Sequence, residues 1–329
     1  MNAKEAGQIH MFDMMRRLGL KMHASTGAFD LPGPTPAVLD LCLAPGGFAR
    51  CVLEKFPLAK VDGLSLPEDQ GGYKVRVAYG DLDPRVSVIF TDLTKFAEEF
   101  GYPELFKDRD DGTSLAGIWP YTIDRYHLVT CDGQVPRQSP GQVENDHFAP
   151  ICLNYSQLFL GLKRVKIGGT MIVLLHRSSR VSIFRLIQMF CQFSNVHIFK
   201  PTKNHTIKSS FYLVAKDIRA ESPSCLEAME LFRTVWKRAS VKDGSVVSTV
   251  LYKELALVES SLQPELEAFG PRYVELVRHI WRIQADALEN APFVKGVTEV
   301  TPRPICDHFL RGRCRFGNSC FKSHDAPER

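Results

Sequence analysis

Long hydrophobic runs are missing from this chain of 329 residues. No stretch approaches the ~18 to 20 consecutive apolar residues that cross a bilayer. The first twenty-five residues lack the uninterrupted apolar core of a secretory signal. A membrane partner is therefore not expected, and the compartment reads as cytoplasmic or nuclear. A dominant charge is lacking as well: 41 Lys and Arg against 37 Asp and Glu leave a formal +4. That balance permits a nucleic-acid partner without demanding one. Cysteines number nine, and six of them (Cys42, Cys51, Cys131, Cys152, Cys191 and Cys225) lie scattered, mostly inside apolar runs. Such scatter argues against a disulfide framework and suits a reducing compartment. There is no internal repeat, no Walker-type loop and no coherent Ser/His/Asp motif. The acidic string Asp108-Arg109-Asp110-Asp111-Gly112 lacks the alternating ligands and terminal Glu of a calcium loop, and reads as a solvated insertion.

The remaining three cysteines are clustered. Cys306, Cys314, Cys320 and His324 stand at C-x7-C-x5-C-x3-H spacing near the C-terminus. Four soft or borderline ligands in so short a segment can close a tetrahedral structural Zn²⁺ shell, and the metal then replaces the apolar core that the segment lacks. Gly312 and Gly317 fall where the wrapped loops must turn tightly. Arg311, Arg313, Arg315 and Lys322 place positive charge around the ligands, while Phe309, Phe316 and Phe321 offer faces for base stacking. The string resembles the CCCH zinc-finger family, whose members bind single-stranded RNA. That family usually carries an aromatic two residues before the histidine; here Lys322 holds that place and Phe321 precedes it. A finger used only for protein contacts is the other reading of the same string.

Ahead of the finger the pattern is α/β. Apolar residues from His10 to Met22 recur at helical spacing, and a turn-rich stretch from Gly27 to Pro36 follows. Ala37 to Leu43 reads as a buried strand, leading through Ala44-Pro45-Gly46-Gly47 into a helix from Phe48 to Phe56. Further strands are predicted at Lys60–Leu66, Val86–Phe90, His127–Cys131, Thr170–Leu175, Val196–Phe199 and Phe211–Ala215. Helices are predicted around Leu93–Phe100, Ile151–Val165 and Val181–Phe193. Alternating strands and helices imply a mostly parallel, doubly wound sheet, with the last two strands close enough for an antiparallel hairpin. In such sheets ligands bind beyond the C-terminal strand ends, which is where Asp40 to Gly47 lies. The glycine pair allows close backbone approach and the following helix offers unpaired N–H groups to an anion. A tight turn without ligand fits the motif too.

Five segments in order carry a wider likeness: VLDLCLAPGGFAR (38–50), FTDLT (90–94), LVTCDGQVP (128–136), LKRVKIGGTMIVLL (162–175) and FKP...SSFYLVA (199–215). Together they resemble the FtsJ-like RNA 2′-O-methyltransferase family. The resemblance implies a class I S-adenosylmethionine (SAM) fold, Rossmann-like, with seven strands and an antiparallel last hairpin. It implies a cofactor site formed by Asp40, Gly46, Gly47 and Phe48 after the first strand, Asp92 after the third and Asp132 after the fourth. The ribose-binding carboxylate expected after the second strand has no clear counterpart, since GLSLP (63–67) offers Leu or Ser and Asp62 lies nearby.

Methylating a ribose hydroxyl requires its oxygen to be aligned with the methyl sulfonium and its proton removed. The family uses a lysine, an aspartate, a second lysine and a glutamate. Asp132 matches the aspartate and Lys21 stands at a distance compatible with the first lysine. Leu174 falls at the second lysine and Ser210 at the glutamate. His176 and Arg177 lie a few residues beyond. His176 is chemically able to act as a base and equally able to serve as a structural hydrogen-bonder; Arg177 suits phosphate positioning, since a guanidinium does not readily lose a proton.

Beyond residue 216 the sequence turns helical, at Leu226–Trp236 and Glu265–Leu288, with Pro264 and Gly270-Pro271 as expected breaks. Trp236, Trp281, Phe269 and Tyr273 are expected to pack this extension onto the body. The predicted organisation is a methyltransferase domain over 1–216, a helical extension over 217–291, a linker over 292–304 and the finger over 305–326. A tether of about a dozen residues would raise the effective concentration of RNA held by the finger at the catalytic face. Two readings follow, a SAM-dependent RNA methyltransferase with zinc-finger substrate capture, or an inactive methyltransferase fold serving as an RNA-binding or protein-interaction module. Either leaves room for a protein partner that completes or regulates the site.

Overall fold

A computed structural model describes residues 3–77, 83–106, 119–135, 148–241 and 262–294. Seven strands form one sheet: β1 (Ala37–Asp40), β2 (Lys60–Ser65), β3 (Val86–Phe90), β4 (Tyr126–Cys131), β5 (Val165–His176), β6 (Asn195–Phe199) and β7 (Ser210–Ile218). Their order is β3-β2-β1-β4-β5-β7-β6. Neighbours from β3 to β5 pair in parallel, and β7 runs antiparallel to both β5 and β6. The helices are α1 (Ala3–Thr26), α2 (Gly47–Lys55), α3 (Ala149–Arg164), α4 (Val181–Phe193), α5 (Pro223–Ser240) and α6 (Leu262–Glu289).

The central strands are apolar throughout because both faces are covered. In β1, Val38 belongs to the core that includes Phe48 and Val52 of α2, while Leu39 belongs to the opposite core, with Leu160 of α3 and Phe184 of α4. Successive side chains point to opposite faces, so a strand buried on both reads as a continuous hydrophobic run.

Two local expectations give way to tertiary contacts. Leu93 to Phe100 forms a short 3-10 turn at Leu93–Lys95 followed by turns, with no α-helix. The Thr94 carbonyl, which a helix would present to Glu98, instead accepts the indole N–H of Trp236 at 3.1 Å. The apolar spacing there still serves burial, since Phe96, Ala97 and Phe100 all enter the core. In the other case, α6 runs uninterrupted through Pro264 and Gly270-Pro271. Pro264 lies in the first turn, where its missing N–H has no intrahelical partner to lose. Pro271 is interior, and packing on either side of it offsets the lost bond: Phe269 and Tyr273 lie with ring centroids 5.5 and 5.0 Å from that of Phe184.

The helical extension is joined to the body by its core. Trp236 of α5 is fully buried, stacked on Phe100 with centroids 3.9 Å apart. Arg185 of α4 donates from Nε to Glu265 of α6 at 2.8 Å and from a terminal nitrogen at 3.0 Å. The β7 strand itself continues to Ile218, just past the boundary predicted at residue 216.

Candidate active site

The C-terminal ends of β1, β3 and β4 bring together three carboxylates. Asp40 closes β1 and is 4% exposed. Its Oδ1 accepts the Cys42 N–H at 3.3 Å. Burial pushes its carboxyl up to about 6, against the pull of the Cys42 N–H. Asp92 follows β3 and caps the next turn, accepting from the Thr94 N–H at 3.0 Å and hydroxyl at 2.7 Å. Asp132 follows β4, and its Oδ1 accepts the Tyr212 hydroxyl of β7 at 3.1 Å. The residue keeps some open surface, yet burial of the carboxyl, and then the charge of Asp40, push it up to about 8. Cys42 lies among the three: after burial, the charges of Asp40, Asp132 and Asp92 all raise its thiol. Among the described residues no Lys or Arg forms an ion pair with any of these aspartates.

The turn from β1 into α2 is fixed by its two glycines. Gly46 has φ of 98°, a left-handed conformation, and a Cβ there would lie 2.0 Å from Cγ2 of Val77. At Gly47 a Cβ would meet Met15 Cβ at 2.5 Å and the Arg16 nitrogen at 2.7 Å, so α1 packs directly on this backbone. The close approach that the glycines allow is thus made, at both positions, by the chain itself. Phe48 is buried edge-on to Tyr212, with centroids 5.7 Å apart. Tyr212 therefore ties the glycine turn to Asp132.

On the other side of Asp132, Gln157 of α3 grips Gly133. Its Oε1 accepts the Gly133 N–H at 2.8 Å and its Nε2 donates to the Gly133 carbonyl at 3.2 Å. A Cβ on Gly133 would strike Cys42 Sγ at 2.2 Å. Neither Gln157 nor Tyr212 stands out in the sequence as a site residue. Their partners are 24 and 80 residues away, and only strand register and helix placement bring them in.

The positions where a lysine and a glutamate are expected lie beside this cluster. Leu174 pairs with Tyr212 across β5 and β7, and His176 pairs with Ser210. Side chains alternate along a strand, so His176 shares the face of Leu174, about 7 Å further along β5. His176 and Arg177 are both exposed, and Arg177 adopts φ of 57°. Burial of the imidazole, followed by the charges of Arg177, Lys200 and Lys208, lowers the His176 pKa. Lys200 is 3% exposed and donates to the carbonyls of Lys208 at 2.5 Å, Ser210 at 2.8 Å and His205 at 3.4 Å. Burial lowers its pKa to about 8, but this ammonium clamps the β6–β7 loop and does not stand in for the lysine replaced by Leu174. Lys21 lies exposed on α1, with no hydrogen bond or ion pair to Asp132 among the described residues. Asp62 sits mid-strand in β2, accepting the Tyr126 hydroxyl at 2.8 Å, and so is out of register for a ligand at the strand end. Cys306, Cys314, Cys320, His324 and the aromatic and basic residues around them lie outside the described residues. Among the described residues no group of His, Cys, Asp or Glu is arranged to hold a metal, and no helix is long and apolar enough to cross a membrane.

A seven-stranded sheet with only β7 reversed, and acidic residues gathered at the ends of β1, β3 and β4, defines a protein of the class I methyltransferase type. The FtsJ-like methyltransferase family model matches residues 14–218, and the chain belongs to that family. Among solved structures it is similar to a putative ribosomal RNA methyltransferase from Plasmodium falciparum, at 18% identity and a TM-score of 0.40, covering 62% of this chain and 96% of that one. It is also similar to human methyltransferase-like protein 13 in complex with SAH, at 15% identity and a TM-score of 0.38, covering 68% and 92%. An rRNA methylase from Streptococcus thermophilus matches at 11% identity and a TM-score of 0.33, covering 64% and 97%. At these scores the three likenesses carry no further weight. A search of curated proteins finds no match.

Proposed function

We propose that this protein is a SAM-dependent RNA methyltransferase acting on a ribose 2′-hydroxyl, with the CCCH segment as its RNA-capture device. The observation that carries the reading is the placement of Asp132: at the end of β4, oriented by Tyr212, beside Asp40 and within a group of carboxylates that has no cationic partner among the described residues. Carboxyls without a cationic partner suit a cationic ligand, and SAM carries a sulfonium and an ammonium. Asp40, Asp92 and Asp132 would hold it, since the space over Gly46 and Gly47 is taken by Val77 and α1 and Phe48 is buried against Tyr212.

When bound, SAM supplies an electrophilic methyl group. As a carboxylate Asp132 would accept a hydrogen bond from the target hydroxyl, aligning the oxygen and raising its nucleophilicity. Burial, then the charge of Asp40, push its carboxyl up to about 8, so positive charge placed among the carboxyls would favour the ionised form. His176, on the same sheet face as Leu174 and with its pKa lowered by burial of the imidazole and then by its cationic neighbours, is the group available to take the hydroxyl proton. Arg177 positions phosphate.

One observation favours a second reading, an inactive fold that binds RNA or protein. Leu174 is half-buried against the core at the lysine position, Ser210 is buried at the glutamate position, and Lys200 is clamped by three carbonyls. The discriminating experiment is transfer of labelled methyl from SAM to total RNA and to capped transcripts, with wild type beside Asp132→Asn. Label with wild type and a fall of at least ~100-fold in the variant, the scale of a lost acid–base partner, is the expected result. Binding of SAM and RNA by the wild type without any label would establish the inactive reading.

A further inference from the structure

Just beyond the Tyr212–Asp132 contact the β5–α4 loop (177–180) and the β6–β7 loop (200–209) meet, the Arg177 N–H donating to the Ser209 carbonyl at 3.0 Å. A third element reaches both from outside the family match. Helix α6 sends the Tyr273 hydroxyl to the Ser178 carbonyl, the Trp281 indole N–H to Ser178 Oγ at 2.8 Å, and Gln284 Nε2 to the Ile207 carbonyl at 3.4 Å. Trp281 was expected to be packing for the extension. Its N–H is indeed anchored, but the residue remains 38% exposed, alongside a loop whose Ile207 is 45% exposed.

The charge on these two loops has one sign. Arg177, Lys203 and Lys208 are exposed, and among the described residues none of them forms an ion pair. The charged groups acting on His176 are Arg177, Lys200 and Lys208, and those acting on His205 are Lys208 and Lys200, with no carboxylate in either set. Unpaired cations beside an exposed, hydrogen-bond-oriented indole match a polyanion that also presents flat rings. Acidic peptides supply only the first of these.

We infer that this rim is the track along which single-stranded RNA reaches Asp132, with Trp281 of α6 as a base-stacking platform and Lys203 and Lys208 on phosphates. The inference rests on the RNA methyltransferase reading for its substrate class. It adds that the helical extension is part of the substrate face. The geometry is compact: Ser210, at the foot of the β6–β7 loop, is two residues from Tyr212 on β7, about 7 Å along the strand. Stacking on aromatics and contacts to the backbone together are how single strands are held without sequence readout.

The test uses the full chain and a twelve-nucleotide single-stranded oligouridylate. Of the three tryptophans, Trp236 is fully buried and Trp119 partly so; RNA should quench the emission of wild type, and most of that quenching should be lost in Trp281→Phe. By anisotropy of labelled RNA, Trp281→Ala should weaken binding about 5- to 150-fold, the range for one stacked base. The pair Lys203→Ala and Lys208→Ala should reduce the slope of log affinity against log salt by about 1.4. RNA binding by wild type without quenching, affinities within twofold in every variant, or displacement of the RNA by polyglutamate at equal charge concentration would each overturn the rim as an RNA track. Calorimetry with SAM separates the two readings. Loss of the rim signals in the variants with no SAM binding by wild type supports the track and overturns the methyltransferase, whereas methyl transfer with unaltered RNA binding in the variants overturns the track alone.

Discussion

At the scale of single residues the site is defined by carboxyls whose ionisation the fold disfavours. Burial pushes Asp132 up to about 8 and Asp40 up to about 6, both above the ~3.9 of an unfolded aspartate. Between those limits the folded protein binds more protons than the unfolded chain. Stability must therefore fall as pH rises, by up to about 1.4 kcal/mol per pH unit for each carboxyl still protonated. The slope from Asp40 ends near pH 6 and that from Asp132 near pH 8. Asp132→Asn cannot ionise, so it should match wild type in acid, lose less stability between pH 5 and 8, and be the more stable protein at pH 9. Denaturant unfolding at pH 5, 7 and 9 measures this, and parallel slopes for the two proteins would show that Asp132 is not held protonated. Asp40, Asp92 and Asp132 were legible in the sequence because each ends a recognisable strand. Tyr212, which orients Asp132, was not. In sequence it is one aromatic in an apolar strand, and its role exists only once β7 is registered against β5 next to β4.

Elements show the same division between local and long-range information. The buried strands could be read from their apolar runs and the turns around them. The β6–β7 hairpin could be read from the short distance between its strands. What failed was the assumption that helical spacing means helix and that proline means a break. Leu93 to Phe100 has the spacing, but Trp236 takes the Thr94 carbonyl; Pro271 should interrupt α6, but Phe269 and Tyr273 hold the turns on either side to Phe184. The junction of β1 and α2 was legible as a glycine turn, though its occupant was not: Val77 fills the space above Gly46. Gly46→Ala should accordingly cost about 2 to 5 kcal/mol, combining a left-handed conformation imposed on a side chain with overpacking. Adding Val77→Ala should recover the overpacking part and leave the conformational part, so the two substitutions couple with a favourable interaction energy. Additive losses in denaturant unfolding would place the whole penalty on the backbone.

For the whole molecule, the FtsJ-like family match accounts for the chain to residue 218, and two regions proposed to meet RNA lie beyond it. One is α6, whose sequence gave no sign of substrate contact because an exposed Trp at helical spacing is indistinguishable from a core one. The other is the CCCH segment, which lies outside the described residues; its reading as a finger rests on four ligand types at the right spacing, which need no partner elsewhere. That independence predicts how the parts separate. On the zinc-finger proposal, Cys314→Ser removes one of four ligands and with it the segment's means of folding. The sheet should be untouched, since no group of His, Cys, Asp or Glu among the described residues is arranged for a metal. Zinc content should fall to near zero, affinity for single-stranded RNA should drop at least ~10-fold, the loss of one member of a linked pair of binding sites, and SAM affinity and thermal unfolding of the sheet should stay unchanged. Metal analysis, RNA anisotropy and calorimetry on the same preparation check all three. Unchanged RNA affinity in the metal-free variant would leave the rim around Trp281 as the RNA-binding surface and assign the finger to protein contacts, while a sheet that unfolds with the zinc would mean that the two regions form one cooperative body.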